Sequence, residues 1–214
     1  MEALREKWSS WFASEQGSNG LAGILSSKEK FLYAVAAAAV VSSTSVLDNL
    51  VMYRRGGQKA EGKSTQGNGT MNEVASPATD PWYRSLRKPW FHPPNWVFPA
   101  VWIPLKALQT GALYLVWTSE DVSLLKRLTA TGLYVIHISL GTLWNHLFFG
   151  KHKIRKSLYA MGGFYATLAG SIGMYWTVNP TAAALLAPTQ VWATIAAALN
   201  YQSWALNPDM DADG

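Results

Sequence analysis

The chain has 214 residues and a mean hydropathy of +0.02, which alone would suit one or two soluble domains. It has no cysteine, which excludes a disulfide framework, a thiol nucleophile and a thiolate metal site. The net charge of +5 comes from basic residues scattered between apolar runs. That distribution indicates membrane topology rather than a nucleic-acid partner.

Long stretches without charge indicate the class of protein. No Asp, Glu, Lys or Arg occurs in 128–150 or 157–208, and 89–119 contains only Lys106. A soluble protein places charge along its helices because one face of each meets water. A helix that crosses a bilayer instead needs about 20 mainly apolar residues. The sequence therefore predicts an integral, multi-pass membrane protein that contacts membrane lipids.

The predicted elements begin with a polar N-terminal extension, residues 1–30, whose apolar residues have the spacing of a short interfacial helix. A membrane domain is predicted over 31–206. Its first span, 31–53, is interrupted by "SSTS" and Asp48, and the polar, glycine-rich residues 54–80 predict a flexible loop. Four further spans are predicted at 96–118, 128–150, 157–178 and 181–206, before an acidic tail at 207–214.

The fold class that follows is an all-α membrane bundle of five transmembrane helices. Eleven basic residues flank the first and third loops, and six lie on the opposite side. The eleven are Arg54, Arg55, Lys59, Lys63, Arg84, Arg87, Lys88, Lys151, Lys153, Arg155 and Lys156. The six are Arg5, Lys7, Lys28, Lys30, Lys126 and Arg127. This asymmetry places the first loop and the C-terminus in the cytosol.

The segment "RKPWFHPPNWVFPAVW", residues 87–102, enters the second span. Its prolines disfavour helix and predict a stiff lid above a cavity, with Asn95 as the N-cap of the helix that follows. Pro104 should kink that helix and leave room beside it. An aromatic belt at the membrane interface, joined to a proline loop, is the alternative interpretation.

A stripe of small residues lies on the fourth span. Gly162, Ala166 and Gly170 recur every four residues, as do Ala169 and Gly173. Small residues at this spacing allow two helices to approach closely in lipid. The stripe predicts packing within the bundle, and a homodimer seam is the alternative.

Lys106 is the charge deepest within a span, about 15 Å along the helix from its start and near the membrane midplane. A charge at this depth is costly, so its side chain should face the bundle interior. Phe98, Trp102, Lys106 and Gln109 share one helical face. Lys106 is expected to meet either a ligand carboxylate or Asp48.

The histidines do not form a recognisable metal site. His137 and His146 are nine residues apart and point to opposite faces of the third span, while His92 lies in the loop. Structural or interfacial roles are expected for all three, with no metal ligand among them. No nucleophile–histidine–acid set, carboxylate pair or phosphate-binding loop is evident.

Three stretches resemble the TspO/MBR family of tryptophan-rich sensory and translocator proteins. They are "WYRSLRKPWFHPPNWVFPAVW", "LWNHLFFG" and "APTQVWATIAAALNYQSWALN". The resemblance covers about residues 28–208. It implies five membrane helices and a site for porphyrins, sterols or synthetic aromatic drugs that opens toward the first loop. Some members are reported to degrade porphyrins in light and oxygen.

Carried over by motif, the ligand site comprises Phe91, Phe98, Trp102, Trp144 and Trp192, to which the shared helical face adds Lys106. The resemblance implies a porphyrin, haem or sterol as bound ligand, with no obligatory cofactor. Flat rings suit such ligands because they bury large planar surfaces.

Four residues depart from the family pattern. Phe91 replaces a tryptophan, Lys106 and Thr189 replace tyrosines, and Gly141 replaces an asparagine. These exchanges predict a ligand preference that differs from other members.

Three functions remain open on these grounds. The first is a protein that binds or transports porphyrins or other flat lipophiles. The second is a light- and oxygen-dependent porphyrin-degrading enzyme, and the third is a lipid- or protein-binding scaffold. The endoplasmic reticulum and the mitochondrial outer membrane are the expected locations, and bacterial members reside in bacterial membranes.

Overall fold

The computed structural model describes residues 28–43 and 80–210, and these ranges are entirely helical with short connections. Six α-helices are present in them: α1 at 28–43, α2 at Pro81–Ser85, α3 at Val97–Thr118, α4 at Leu124–Asn145, α5 at Ile154–Trp176 and α6 at Pro180–Leu206. A π-helix, His146–Gly150, continues α4, and a 3-10 turn, Pro208–Met210, follows α6. The predicted all-α class is confirmed.

The long helices match the predicted spans closely. α3, α4, α5 and α6 correspond to the second through fifth spans, and α1 covers 31–43 of the first. The N-terminal extension up to residue 27, the segment 44–79 with Asp48, and residues 211–214 lie outside the described residues. Within the described ranges, α6 is the one helix that is both long and apolar enough to cross a membrane by those two measures alone.

Local capping fixes where two of the helices begin. Asp80 Oδ1 accepts from the Trp82 backbone N–H at 2.8 Å, and Pro81 opens α2. Asn179 Oδ1 accepts from the backbone N–H groups of residues 181 and 182, and Pro180 opens α6. Both starts combine an acceptor side chain with a proline in the first position, where its missing N–H costs nothing.

The predicted cap at Asn95 is wrong. α3 begins one residue later than such a cap would require, with Trp96 as N-cap and no side-chain hydrogen bond. A tight turn leads directly into the helix, because the Val97 N–H donates to the Pro94 carbonyl at 2.9 Å. Pro99 has no N–H, so the first turn already lacks one of the donors that a cap would satisfy.

The long helices run alternately up and down. α5 packs against α4 and α6, and α6 packs against α3. The rings of Tyr33 on α1 and Trp117 on α3 stack at 5.9 Å, and Val41 near the end of α1 reaches Lys106 in the first half of α3. α1 is therefore antiparallel to α3.

The buried core has three layers along the bundle axis. The first, at the end that holds the 119–123 loop, contains small aliphatic residues with Tyr134 and Tyr175. The middle layer joins Met161, Phe164, Leu168 and Ala193, and the third, at the loop-one end, is aromatic and includes α2. The predicted aromatic ligand-site residues on the helices lie in or next to the second and third layers. Lys106 instead lies beside Val41 of the first layer.

The small-residue stripe of α5 does not pack within the described bundle, which overturns that prediction. Gly162, Ala166, Ala169, Gly170 and Gly173 are all exposed, and a Cβ added to any of these three glycines would meet nothing within 4 Å. Other glycines make the close approach between α4 and α5. The homodimer seam stays a prediction.

Gly163 and Gly141 are those glycines. A Cβ on Gly163 would lie 3.1 Å from Leu140, and one on Gly141 would lie 3.0 Å from the Phe164 ring. Every face of α5 is apolar, so periodicity could not distinguish its inner face from its outer one.

Candidate functional site

Aromatic rings from three helices converge toward the loop-one end of the bundle. Phe98, in the first turn of α3, meets Trp192 of α6 edge-on with ring centroids 5.8 Å apart. Trp192 is nearly buried, and its indole N–H has no hydrogen-bond partner among the described residues. The structure thus brings together two predicted ligand residues and leaves one buried donor unused.

Trp102 and Trp144 belong to the same group. Both pack against the middle core layer, which links α3 and α4 to α5 and α6. Trp144 Nε1 donates to Asn200 Oδ1 at 2.8 Å, and Asn200 Nδ2 donates to Ser157 Oγ at 3.0 Å. The amide therefore fixes the plane of the Trp144 ring, which also stacks on Phe148 at 5.7 Å.

The loop joins this group through His92. Its ring lies 5.8 Å from Phe98, and its Nε2 is 2.9 Å from the hydroxyl of Tyr83 on α2. Burial lowers the pKa of His92, and the positive charge of Lys88 lowers it further. Burial also raises the pKa of Tyr83. Neutral partners are thus favoured, so the imidazole can accept from the phenol.

Phe91, the other predicted ligand residue of the loop, has its observed ring contact with Trp90, edge-on at 5.6 Å. Trp90 itself is 95% exposed. In the described structure, His92 rather than Phe91 makes the loop's ring contact with the α3 aromatic residues.

Hydrogen bonds hold the start of the proline-rich segment in place, while the stiff lid above a cavity stays a prediction. Asn207, just beyond α6, accepts from the Arg87 N–H at 2.8 Å and donates to the Arg87 carbonyl at 2.9 Å. The ammonium group of Lys88 donates to the Tyr83 carbonyl at 3.0 Å and lies 4.5 Å above the Tyr83 ring. This double contact attaches the segment before the prolines to the C-terminal end of the bundle.

Lys106 faces α1. Its Nζ is 3.4 Å from the Val41 carbonyl oxygen. The predicted choice between a ligand carboxylate and Asp48 stays open, since Asp48 lies outside the described residues.

One turn further along α3, a buried polar chain crosses the bundle. Gln109 Nε2 donates to Thr189 Oγ1 at 3.0 Å, and the Tyr134 hydroxyl donates to Gln109 Oε1 at 2.8 Å. Buried polar groups in a membrane bundle are stable when they pair in this way.

Two departures from the family pattern have a structural explanation. Thr189 carries the hydroxyl that Gln109 requires. Gly141 faces the edge of the Phe164 ring, which occupies the space that a larger side chain would need. His137 stabilises the same region, because its Nδ1 is 2.9 Å from the Phe164 carbonyl oxygen.

The histidines lie apart. His137 is buried on α4, and His146 begins the π-helix. Across residues 28–43 and 80–210, no group of three or more His, Asp or Glu side chains is placed to hold a metal ion.

Some residues of this region were not identified from the sequence as part of the site. Asn200 belongs to the "LN" of the third quoted stretch, and its place in that family motif could have identified it as a residue of the site. Gln109 was identified only as sharing a face with Phe98. Tyr83 and His92 belong to the first quoted stretch, but their contact with each other could not be predicted because it depends on the path of the loop.

Aromatic rings converge from three helices beneath a proline-rich loop, and this arrangement defines a class of protein: a helical membrane bundle with an aromatic end. Residues 64–205 match the model of the TspO/MBR family, and the chain belongs to that family. It is a membrane-embedded helical protein, as the charge-free stretches predict. The match starts beyond α1, so the first span rests on its apolar sequence, on the helix at 28–43 and on the wider resemblance.

Individual relatives agree with this assignment. Protein CrtK of Rhodobacter capsulatus is 30% identical over 142 residues, which cover 65% of this chain and 86% of CrtK. The translocator protein of Ovis aries is 35% identical over 130 residues, covering 59% of this chain and 75% of that protein. The translocator protein of Homo sapiens is 32% identical over 126 residues, with the same two coverages.

Proposed function

We propose that this chain is a five-span membrane protein that binds a porphyrin or another flat lipophile, such as a sterol, between α3, α4 and α6. The convergence of Phe98, Trp102, Trp144 and Trp192 carries the proposal. Planar rings at right angles to one another offer both faces and edges to a planar ligand. The name of the sheep and human translocator proteins describes translocation, and we extend it to this chain as transport of the bound ligand.

The polar groups around these rings favour a ligand with hydrogen-bond acceptors. The indole N–H of Trp192 is a buried donor that an acceptor would satisfy. Lys106 adds a positive charge deeper in the bundle, where a porphyrin carboxylate would be a suitable counterion. A porphyrin combines both properties, whereas a sterol offers an acceptor hydroxyl but no carboxylate.

The proposed topology places the first loop and the C-terminus in the cytosol. The contact between Asn207 and Arg87 supports a shared side for the end of that loop and the end of α6. The excess of basic residues on that side is the sign expected of a cytosolic face. The endoplasmic reticulum or the mitochondrial outer membrane is the proposed location.

The test is a titration of protoporphyrin into detergent-purified protein in the dark, monitored by tryptophan quenching. We expect saturable quenching in the parent protein and at least a tenfold weaker half-saturation in Trp102→Ala. Trp176→Ala is the matched control, because it also removes one tryptophan but from the exposed end of α5. Its half-saturation should equal that of the parent protein.

Lys106→Met tests the counterion. Weaker binding of protoporphyrin, with unchanged binding of its dimethyl ester, would assign a carboxylate contact to this lysine. Quenching that never saturates, or a Trp102→Ala variant that matches Trp176→Ala, would refute the ligand site and favour a scaffold. Porphyrin loss under light at catalytic protein amounts would instead favour the degrading enzyme.

A further inference from the structure

A cavity lies away from the converging rings, between α1 and α4. It has a volume of about 550 Å³, within the usual range of small-molecule sites. Its lining residues are Ala39, Val40, Ser43, Val135, Ile138, Ser139 and Thr142. Four of them, Ala39, Ser43, Val135 and Ser139, are exposed at the outer surface of the bundle. The cleft therefore opens toward lipid.

Short side chains create this cleft. Ala39 and Ser43 lie one turn apart on α1, and Ser139 faces them from α4. Beside the cleft, Ala37 and Val41 of α1 are buried in the first core layer. α1 also contacts α3 through the stacked rings of Tyr33 and Trp117 and through the Val41 carbonyl, which lies 3.4 Å from Lys106 Nζ.

The cleft has a polar end and an apolar end. The Trp117 indole of α3 donates to the Thr131 hydroxyl of α4, and Gln109, earlier on α3, accepts from Tyr134, later on α4. α3 and α4 are therefore antiparallel. Since α1 is also antiparallel to α3, α1 and α4 run parallel. Ser43 and Thr142 therefore lie toward the same end, nearer the loop-one side, and Val135 lies toward the other.

Thr142 has the one hydroxyl of the cleft that lacks a partner. Ser43 Oγ donates to the Val40 carbonyl, and Ser139 Oγ donates to the Val135 carbonyl, each at 2.7 Å. Thr142 Oγ1 is buried and has no hydrogen-bond partner among the described residues. A polar atom left unpaired at membrane depth is costly unless a ligand, water or rotation of the side chain provides a partner.

We propose that this cleft binds the hydrocarbon chain of a neutral single-chain lipid, with the lipid's hydroxyl or ester group hydrogen-bonded to Thr142. The lining residues carry no charge, which disfavours an anionic porphyrin or a phospholipid headgroup. A space of about 550 Å³ between two parallel helices suits one chain, and its single unpaired hydroxyl suits one uncharged polar head. The site does not depend on the aromatic rings, so it stands apart from the proposed porphyrin function.

The probe is a monoacylglycerol with a photoreactive diazirine halfway along its chain, added to the full chain in lipid nanodiscs. We expect saturable labelling on the peptides containing 39–43 and 135–142, competed by unlabelled monoacylglycerol. Ala39→Leu and Ser139→Leu fill the cleft and should each reduce this labelling at least fivefold. Ala166→Leu adds a comparable side chain on the exposed face of α5 and should leave it unchanged.

Thr142→Val tests the polar end without altering volume. Loss of one hydrogen bond in a membrane should weaken half-saturation about threefold. Equal half-saturation in Thr142→Val would overturn the placement of the head group. Labelling spread evenly over outward helix faces, or unaltered by both leucine variants with unchanged melting, would overturn the site. The leucine variants should still show saturable protoporphyrin quenching, which separates failure here from failure of the porphyrin site.

Discussion

The two ends of the bundle are constructed differently. The closed end, defined by Val116, Ala130, Tyr134, Ala182 and Leu186, contains fully buried and mostly small residues. The aromatic end, defined by Phe98, Trp102, Trp144 and Trp192, contains large rings, of which Trp102 and Trp144 are only partly buried. Dense packing of small side chains excludes ligands, whereas rings with exposed edges can accept one.

The hydrogen bonds differ as well. At the closed end, the Arg127 guanidinium donates to backbone carbonyls at the end of α3, at 2.8 Å to Val116 and 2.6 Å to Trp117. Asn179 joins the same region to α6 by donating to Ser119 Oγ at 2.9 Å. These bonds satisfy the carbonyls that a helix C-terminus leaves unpaired.

Around the rings of the aromatic end, hydrogen bonds link side chains to one another, while Asn207 and Lys88 bond the loop backbone. Trp144, Asn200 and Ser157 form one such group, and Tyr83 with His92 forms another. Side-chain bonds can rearrange without breaking a helix. The comparison teaches that stability should depend chiefly on the closed end, and ligand affinity on the aromatic end.

Arg127→Met should break the closed end and have the largest effect on stability. Its charged hydrogen bonds to carbonyls are worth about 3 kcal/mol together, which corresponds to a thermal midpoint lower by roughly 8 °C. The measurement is a thermal melt in detergent. Protoporphyrin quenching, measured well below the midpoint, should have an unchanged half-saturation.

Lys126→Met is the matched control for this prediction. Lys126 is the exposed neighbour of Arg127, and its substitution by Met removes the same charge from a side chain of similar length. Its midpoint should stay within about 1 °C of the parent protein. If both variants melt alike, charge rather than capping determines the stability of this end.

Gly141→Ala and Gly162→Ala compare an inner with an outer glycine. A Cβ at Gly141 presses on Phe164, so overpacking of about 2 kcal/mol should exceed the helical preference of alanine. At Gly162 the space is open, and alanine should stabilise the helix by up to about 1 kcal/mol. The thermal midpoints should therefore differ by roughly 5 °C or more.

The same pair tests the homodimer seam. If the exposed stripe of α5 forms a close contact between two copies, Gly162→Ala should destabilise the protein and reduce dimer in size-exclusion chromatography with light scattering. An unchanged oligomeric state would leave Gly162 as a lipid-facing residue.

Much of the fold could be predicted from the sequence. Uninterrupted uncharged runs specify helices of membrane-spanning length, and Asn179–Pro180 marks a turn by its local chemistry. The helix faces could not be predicted, because apolar residues surround α5 and α6 on every side. The outward stripe follows from this limit, because local patterns do not show which neighbour a residue meets. The wrong cap at Asn95 has a separate cause, the turn in which the Val97 N–H donates to the Pro94 carbonyl.

The candidate site was predictable to a similar extent. Aromatic residues with helical spacing identified Phe98 and Trp102, and the family motifs added Trp144 and Trp192. The polar partners of those rings come from residues far apart in the chain. The Trp144–Asn200 bond spans 56 positions, so only the folded bundle shows it.

The smallest predicted effect is a pH-dependent change in thermal midpoint caused by the His92–Tyr83 hydrogen bond next to the aromatic end. The pKa of His92 lies below its ordinary value of 6.5, so the folded loop binds a proton less readily than the unfolded chain does. The neutral ring accepts from Tyr83, and this stabilisation is present above pH 6.5. It is lost as the pH falls through the lowered pKa, because a protonated ring has no acceptor nitrogen.

Tyr83→Phe isolates this contribution. The variant lacks the hydroxyl at every pH, so it should melt about 3 °C below the parent protein at pH 7.5. The difference should shrink as the pH falls below 6.5 and through the lowered pKa of His92, because the parent then loses the same bond. A difference that grows as the pH falls would reverse the sign and show that Tyr83 instead accepts from a protonated His92.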